Sequence, residues 1–326
     1  MNAPAHPGQL GPSPEGVDRH WPAEGLTRVP YWVYRDEDIY SLEQARLFRG
    51  ATWNFVGLEA EVPTPGDYKT AFVGDMPVVV ARDLEGTLRV WENRCAHRGA
   101  LLVLENQGHA KDIACVYHNW TYNLKGELTG VAFRKGIHGK GGMPADAKPE
   151  SQAPMQLRVA TYHGLVFATC SDATPPIEEY LGANIAERVR RVMKEPVKVL
   201  GSYSQILNNN WKLYMDNVKD TYHASLLHLF FTKFRINRLE MKGGVIVGGD
   251  GGNHVSYNMM NAGNQHSEYE KAGVRTASGG HQLEAPHLLE SVDEIGDGIT
   301  LQILAVFPGF ILQQISNSLA VRSILP

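Results

Sequence analysis

The sequence predicts an α+β protein in two parts, an all-β module followed by a module that mixes helices with strands. Short β-rich runs separated by turn signals fill residues 53–170, helical periodicity takes over after a Pro175-Pro176 break, and strand-like text returns from Lys242. A chain of 326 residues has room for two domains at roughly 100–200 residues each.

Residues 1–16 are rich in Pro, Gly and Ala and lack the positive start and apolar core of a signal peptide, so they read as a disordered leader. A helix closes this first region (1–50): Ser41 is a candidate N-cap, Gln44 lies three residues on, and Leu42, Ala45 and Phe48 are apolar. Strands are expected at Trp53–Leu58, Tyr68–Val73, Pro77–Ala81, Leu88–Glu92 and Val159–Thr169, with turns such as Pro63-Thr-Pro-Gly66 and Asp83-Leu-Glu-Gly86 between them. The boundary falls near 170–176, giving domains at 51–172 and 173–326. Helices are expected at Ile177–Leu181 and Ile185–Lys194, strand-like text at Val197–Leu207, and a strong helix after the Asn208–Asn210 cluster. Residues 262–290 read as loop, and Thr300–Leu325 alternates like two or three strands.

Composition excludes several functions. The net charge of −4 and the absence of any Lys/Arg run of five argue against a nucleic-acid binder, and no apolar stretch approaches the ~18 residues of a membrane helix. Three cysteines, an odd number without a secretory signal, fit a reducing cytoplasm and metal ligation rather than disulfides. Cys170, in a strand-like run, reads as a buried structural thiol.

Cys95-Ala-His97 follows a predicted strand, and Cys115-Val-Tyr-His118 comes after 17 intervening residues. Each segment offers one thiolate and one imidazole on a short loop. Zinc fingers group Cys with Cys and His with His, whereas these pairs are mixed, which points to a [2Fe–2S] centre with two Cys on one iron and two His on the other. Zinc, or a pair of unrelated cysteines, is the alternative. The wider stretches Asn93-Arg-Cys-Ala-His-Arg-Gly99 and Cys115-Val-Tyr-His-Asn-Trp-Thr-Tyr122 resemble the Rieske loops of aromatic-ring-hydroxylating oxygenase large (alpha) subunits.

From Asn210 to His228 the text is helical, with Trp211, Met215, Val218 and Tyr222 as an apolar stripe and Asp216, Asp220 and His223 on another face. Helix geometry alone allows a plain solvated face. His223 and His228 lie about 140° apart on an ideal helix, so both reach one metal only if the helix ends or distorts between them. Asn217-x2-Asp220-x2-His223-x4-His228 resembles the mononuclear-iron motif of the same oxygenases. The resemblance implies that His223 and His228 ligate a non-haem Fe(II) with one downstream carboxylate. It implies that Asp220 bridges this site to the Rieske histidine of a neighbouring subunit, at the position of His118.

The family's third ligand, an Asp, lies much further along than the 98 residues that follow His228 here, and Asp293 and Asp297 come too early. The simplest account of that spacing is a C-terminal truncation, with chemistry compromised in the chain as given. Further stretches, among them Leu26–Tyr34, Lys135–Pro144, Lys242–Val247 and Phe307–Phe310, look most like the branch that hydroxylates anthranilate, salicylate and terephthalate. An aromatic carboxylate asks for an apolar slot with a cation at its end, and Lys233, Arg235 and Arg238 are candidates, or else surface residues of a helix end. Gly136–Gly142 and Gly248–Gly252 lack the phosphate-loop pattern and read as turns.

The resemblance implies a Rieske domain joined to a catalytic domain of antiparallel sheet covered by helices. Electrons from NADH arrive through a separate reductase, with or without a ferredoxin, pass the cluster, and cross a subunit interface to the iron, where O2 is used to add one or two hydroxyls. It implies a ring of three alpha subunits, commonly with a small beta subunit. The rival is a Rieske electron carrier with no oxygen chemistry of its own.

Overall fold

The computed structural model of the chain describes residues 18–326 apart from 145, 149–150, 195, 229, 231–240, 249–251, 260–272, 274–283, 286, 288–289 and 291. The chain forms two compact units. The first runs to Ile177 and includes Pro196–Gln205 and Leu325–Pro326; the second comprises Glu178–Glu195 and Ile206–Ile324. Among the described residues no helix is long and apolar enough to cross a membrane.

The first unit opens with short helices α1 (Trp32–Arg35) and α2 (Glu37–Glu43). The expected N-cap at Ser41 is displaced: Asp36 caps α2 by accepting from the Asp38 N–H, and Ser41 sits inside the helix. Arg19 outweighs the Ser41 signal from a distance, because its guanidinium holds both Asp36 and Asp38.

Ten strands follow: β1 (Asn54–Leu58), β2 (Asp67–Val73), β3 (Met76–Arg82), β4 (Leu88–Glu92), β5 (Gln107–His109), β6 (Asp112–Ala114), β7 (Thr121–Asn123), β8 (Leu128–Gly130), β9 (Gln156–Tyr162) and β10 (Leu165–Thr169). Seven form one antiparallel sheet in the order β1-β10-β9-β4-β3-β2-β5, and β6-β7-β8 form a second, three-stranded sheet. Strand β3 explains why two cores exist. Its unbroken apolar run sends Val78 and Val80 into one cluster and Val79 and Ala81 into the other, so the strand is buried on both faces. The second of these clusters contains Cys95 and Cys115. Where one strand was expected over Val159–Thr169, two are found, because His163 and Gly164 both take positive φ (49° and 81°) and close a tight hairpin. Cys170 is half-buried rather than buried, and burial still pushes its thiol up to about 11.

Asp83 closes the β3–β4 turn. Its carboxylate is buried and accepts from the Glu85 and Thr87 N–H groups (3.0 and 2.8 Å) and from Arg89 Nε (2.9 Å). Burial pushes its pKa up, but these hydrogen bonds outweigh burial and hold it below the usual carboxylate value. A depressed folded pKa means that the stabilisation is present above the unfolded value near ~3.9 and is lost as pH falls through the folded value. Asp83→Asn is therefore expected to cost about 1–3 kcal/mol at pH 7, with the gap closing in acid. Denaturation curves at a series of pH values check this, and a gap that stays constant into strong acid refutes it.

The second unit holds α3 (Ile177–Leu181), α4 (Ala183–Val192), α5 (Trp211–Lys219) and α6 (Thr221–Leu227). It also holds a five-stranded antiparallel sheet in the order β11 (Gly243–Gly248), β12 (Asn253–Met259), β13 (Ile299–Val306), β14 (Phe310–Ile315) and β15 (Ser318–Ser323). Val197–Leu207 forms no strand, contrary to expectation: Leu200 and Ile206 are both 93% exposed. Its alternation is a β-propensity, and propensity without a hydrogen-bonded neighbour does not make a strand. Helix α4 packs on one sheet face, where Gln302 donates to the Arg188 carbonyl and the Arg188 guanidinium lies 4.5 Å from the Tyr257 ring. Asp297 is tied into the same layer, paired with Arg191 and held below the usual carboxylate pKa chiefly by that bond. Residues 1–16 and most of 262–290 lie outside the described residues.

Candidate metal centres

The two Cys/His loops are built alike. Cys95 N–H donates to the Ala100 carbonyl (2.7 Å) and Gly99 N–H to the Cys95 carbonyl (2.8 Å); Cys115 N–H donates to Trp120 (2.8 Å) and Asn119 N–H to Cys115 (2.9 Å). In each loop the residue four after the cysteine has positive φ, 73° at Gly99 and 59° at Asn119, which are the two residue types that take this conformation most readily. Asn93 clamps the first loop from beneath: its Oδ1 accepts from Leu102 and Val103 N–H, and its Nδ2 donates to the Val103 carbonyl.

The thiols point inward and the imidazoles outward. Cys95 and Cys115 are 3% and 2% exposed, whereas His97 is exposed and His118 half-buried. The two Nδ1 atoms stand 3.1 Å apart, with the His97 ring stacked on Trp120 at 4.8 Å. Partial desolvation, then the nearby His118 and Arg98, hold His97 below its ordinary pKa and so toward the neutral form that ligates metals. The Tyr122 hydroxyl accepts from Ala96 N–H (3.1 Å), which leaves its proton for Cys95 Sγ at 3.3 Å. Burial and that thiol contact push the phenol's pKa up. Two buried thiols and two converging imidazoles suit a [2Fe–2S] group with sulfur on one side and nitrogen on the other.

The second site depends on a helix break. Asp220 ends α5 with ψ 106° and starts α6, accepting from the Tyr222 N–H at 2.7 Å and the His223 N–H at 3.4 Å. The continuous helix expected from periodicity is thus two helices, and Tyr222 leaves the apolar stripe to stand 69% exposed. His228 is the C-cap of α6 and has left helical geometry. The condition set by the five-residue spacing is met, and the Nε2 atoms of His223 and His228 lie 3.2 Å apart.

Asn217 Nδ2 sits 3.1 Å from His223 Nε2, and Asp220 Oδ2 sits 3.2 Å from His223 Nδ1, an ion-pair distance off hydrogen-bond alignment. That Nδ1 is otherwise a buried atom without a partner. Both contacts favour the tautomer with its proton on Nδ1 and its lone pair on Nε2, the form a metal on Nε2 needs. Desolvation, then His223, hold His228 below its ordinary pKa. Desolvation raises the Asp220 pKa, but the Tyr222 and His223 N–H bonds and the His223 ring outweigh it, so the carboxylate stays ionised.

A cavity of about 490 Å³ opens beside these groups. Asn217, Asp220, His223 and His228 line its helical side, and Asp216 does not. Its floor is alternate residues of the sheet: Ser256 and Asn258 from β12, Leu301 and Ile303 from β13, Gln313 and Ile315 from β14, and Arg322 from β15. Arg322 is half-buried, and among the described residues no acidic side chain pairs with it. Among the described residues, no three His, Cys, Asp or Glu side chains gather around one metal position. Asp297 is committed to Arg191, and Asp293 to the Gly296 and Gly298 N–H groups.

Residues 52–138 match the Rieske [2Fe-2S] domain family. The chain is 52% identical over 306 residues to the alpha 2 subunit of the terminal oxygenase component of terephthalate 1,2-dioxygenase from Comamonas sp, an alignment covering 94% of this chain and 74% of that one. The chain belongs to the Rieske oxygenase large subunits. The anthranilate 1,2-dioxygenase large subunit of Burkholderia cepacia is 44% identical over 100% of this chain and 77% of its own, and the large oxygenase component of Ralstonia sp salicylate 5-hydroxylase is 40% identical over 95% and 74%. The fold matches naphthalene 1,2-dioxygenase from Rhodococcus sp. with a TM-score of 0.71 at 23% identity, over 91% of this chain and 70% of that one.

This Rieske oxygenase subunit is an oxidoreductase with a [2Fe–2S] domain, and its relatives are oxygenases rather than simple electron carriers. Sequence reasoning missed Asn93 and Tyr122, although both stand next to ligand loops and β7 alternation turns Tyr122 inward. It also missed Arg322. The cations it named, Lys233, Arg235 and Arg238, lie outside the described residues.

Proposed function

We propose that the chain is the catalytic subunit of an oxygenase that hydroxylates an aromatic carboxylic acid of the anthranilate, salicylate or terephthalate type. One observation carries the substrate reading. One cavity is lined by His223 and His228, whose Nε2 atoms converge, by Arg322, and by apolar Leu301, Ile303 and Ile315 among polar floor residues. A flat apolar ring with one carboxylate fits that sequence of surfaces, and a volume of about 490 Å³ suits a small ligand.

Cys95, His97, Cys115 and His118 would hold the cluster, and His223 and His228 the mononuclear Fe(II). When bound, these groups supply single-electron transfer and O2 activation, which neither thiols nor imidazoles provide alone. The chain's own residues do the rest. Arg322 binds the carboxylate end-on, as a guanidinium does best, and thereby fixes which ring edge faces the histidines. Leu301, Ile303 and Ile315 give the ring apolar surface on the sheet floor. Asp220 keeps the His223 proton on Nδ1 and the α5–α6 break open, which together aim Nε2 into the cavity.

On this reading, electrons would come from NADH through a separate reductase or ferredoxin, and exposed His97 beside half-buried His118 would form the cluster's outer edge. Asp220 would lie between the mononuclear site and a neighbouring copy's cluster, placed to couple the two, within a cytoplasmic homotrimer of alpha subunits, with or without a small beta subunit. The relatives' printed names, a terminal oxygenase component and large subunits, support a multicomponent, multimeric system.

Arg322→Met is expected to weaken binding of benzoate-type acids about 10–100-fold, the worth of a charge-assisted contact. Titration calorimetry on the intact chain measures it. Unchanged affinity would remove Arg322 and this account of the acid from the site.

A further inference from the structure

Trp120 is buried in the core that holds Cys95 and Cys115, and it has a part in both Cys/His loops. Its backbone belongs to the second loop, where its carbonyl accepts the Cys115 N–H at 2.8 Å. Its indole reaches across to the first and lies almost parallel to the His97 imidazole, at 13° with ring centroids 4.8 Å apart. The start of β7 explains the reach. Trp120 immediately precedes this strand, and burial alternates there, with Trp120 and Tyr122 buried and Thr121 half-buried between them. Residues two apart in extended chain share a face. One of the two meets the His97 ring, and the hydroxyl of the other meets Cys95 Sγ at 3.3 Å. One edge of the second loop therefore touches both candidate ligands of the first.

The two imidazoles are held differently. His97 is exposed, and χ2 of a histidine has only a broad preference of its own. A flat, buried ring parallel to the imidazole supplies a sharper one, because the stack is lost as soon as the imidazole turns. His118 meets His97 edge-on (4.6 Å, 69°) and is flanked at 3.8 Å by Tyr117, a side chain that is itself exposed. A core residue thus sets the plane of His97, and a surface residue lies against His118.

We propose that Trp120 is the positioning residue for His97, and that by fixing and covering this ring it holds down the reduction potential of the [2Fe–2S] group. The inference rests on the reading of His97 as a cluster ligand. One electron added to the cluster adds one negative charge, which water stabilises and apolar surface does not. The indole over one face of His97 keeps water from that side. Its π face is also electron-rich, which favours the oxidised cluster, whose iron draws more density from the imidazole. Both effects act in the same direction. The contact is one of ring faces, unlike the hydroxyl–thiol contact of Tyr122.

The experiment is a potentiometric titration of the full chain carrying its cluster, followed by visible spectrum and EPR, with histidine nitrogen couplings read by pulsed EPR. Trp120→Leu and Trp120→Phe are compared with Leu102→Ala, which opens a cavity in the same buried core. Trp120→Leu should raise the potential by a tenfold change in the reduced-to-oxidised ratio, about 59 mV for one electron. It should also shift or broaden one of the two histidine nitrogen couplings and leave the other. Trp120→Phe keeps a ring on His97 and should stay near wild type in both readings. Leu102→Ala should melt earlier with potential and couplings unmoved. An unchanged potential and unchanged couplings in Trp120→Leu overturn the inference. So does a shift in Leu102→Ala as large as that in Trp120→Leu, which would make core packing the cause. If Trp120→Leu takes up no cluster, Trp120→Phe decides: wild-type potential and couplings support the stacking role, and a shifted potential overturns it. A wild-type cluster without histidine nitrogen couplings would instead remove the ligand reading on which the inference rests.

Discussion

Asp220→Asn leaves the chain folded and its cluster spectrum intact, and lowers turnover by at least about 10–100-fold, the usual cost of losing a carboxylate behind a metal-ligating histidine. The reason is that Asp220 has two separable tasks. As the cap of α6 it accepts from the Tyr222 and His223 N–H groups, and asparagine caps as well as aspartate does. As the charge 3.2 Å from His223 Nδ1 it fixes the imidazole's tautomer, and asparagine carries no charge. Asp220→Ala loses both, so it should cost about 1 kcal/mol in stability as well. Denaturation, the visible spectrum and mononuclear iron content separate the two variants. Full activity of the asparagine variant would discard the proposed relay and the proposed tautomer together.

Cys95→Ala or Cys115→Ala removes the visible chromophore altogether and lowers the stability of the first unit by several kcal/mol, as loss of structural metal sites does in other small modules. Both thiols are buried in one cluster with Trp91, Trp120, Tyr122, Leu102 and Val103, so the cluster iron and sulfur would form part of the hydrophobic core rather than an addition to its surface. The second unit has its own sheet and core residues such as Leu304, Val306 and Leu312, and its unfolding should change little. Scanning calorimetry with and without a chelator and reductant reads both effects. A colourless variant with an unshifted first transition would show that the module stands without its metal.

Much of the chemistry was legible because it lies in short local patterns. Mixed Cys/His spacing and an Asp-x2-His-x4-His segment point to their proposed chemistry by residue type and distance along the chain. The β module was legible for the same reason, through alternation and turn residues, down to the apolar run of β3. Expectations failed where the deciding contact was remote. Arg19 moved the cap from Ser41 to Asp36, and the missing neighbour left Val197–Leu207 unpaired; the split of Val159–Thr169 is the local exception, made by the positive φ of His163 and Gly164 within the run itself.

By itself, then, the sequence determined the residue patterns on which the proposed sites rest, Cys95, His97, Cys115 and His118 for a Rieske cluster and His223 and His228 for a second metal, because ligand chemistry is a property of residue types at close spacing. Only the tertiary structure decided what surrounds them. It broke the helix at Asp220 so that His223 and His228 converge, and it turned Tyr122 onto the Cys95 thiol. It also brought Arg322, 94 positions beyond His228, to the cavity that those histidines line. The physical reason is register: antiparallel pairing places side chains by strand order and row, and no periodicity along the chain records which rows will meet.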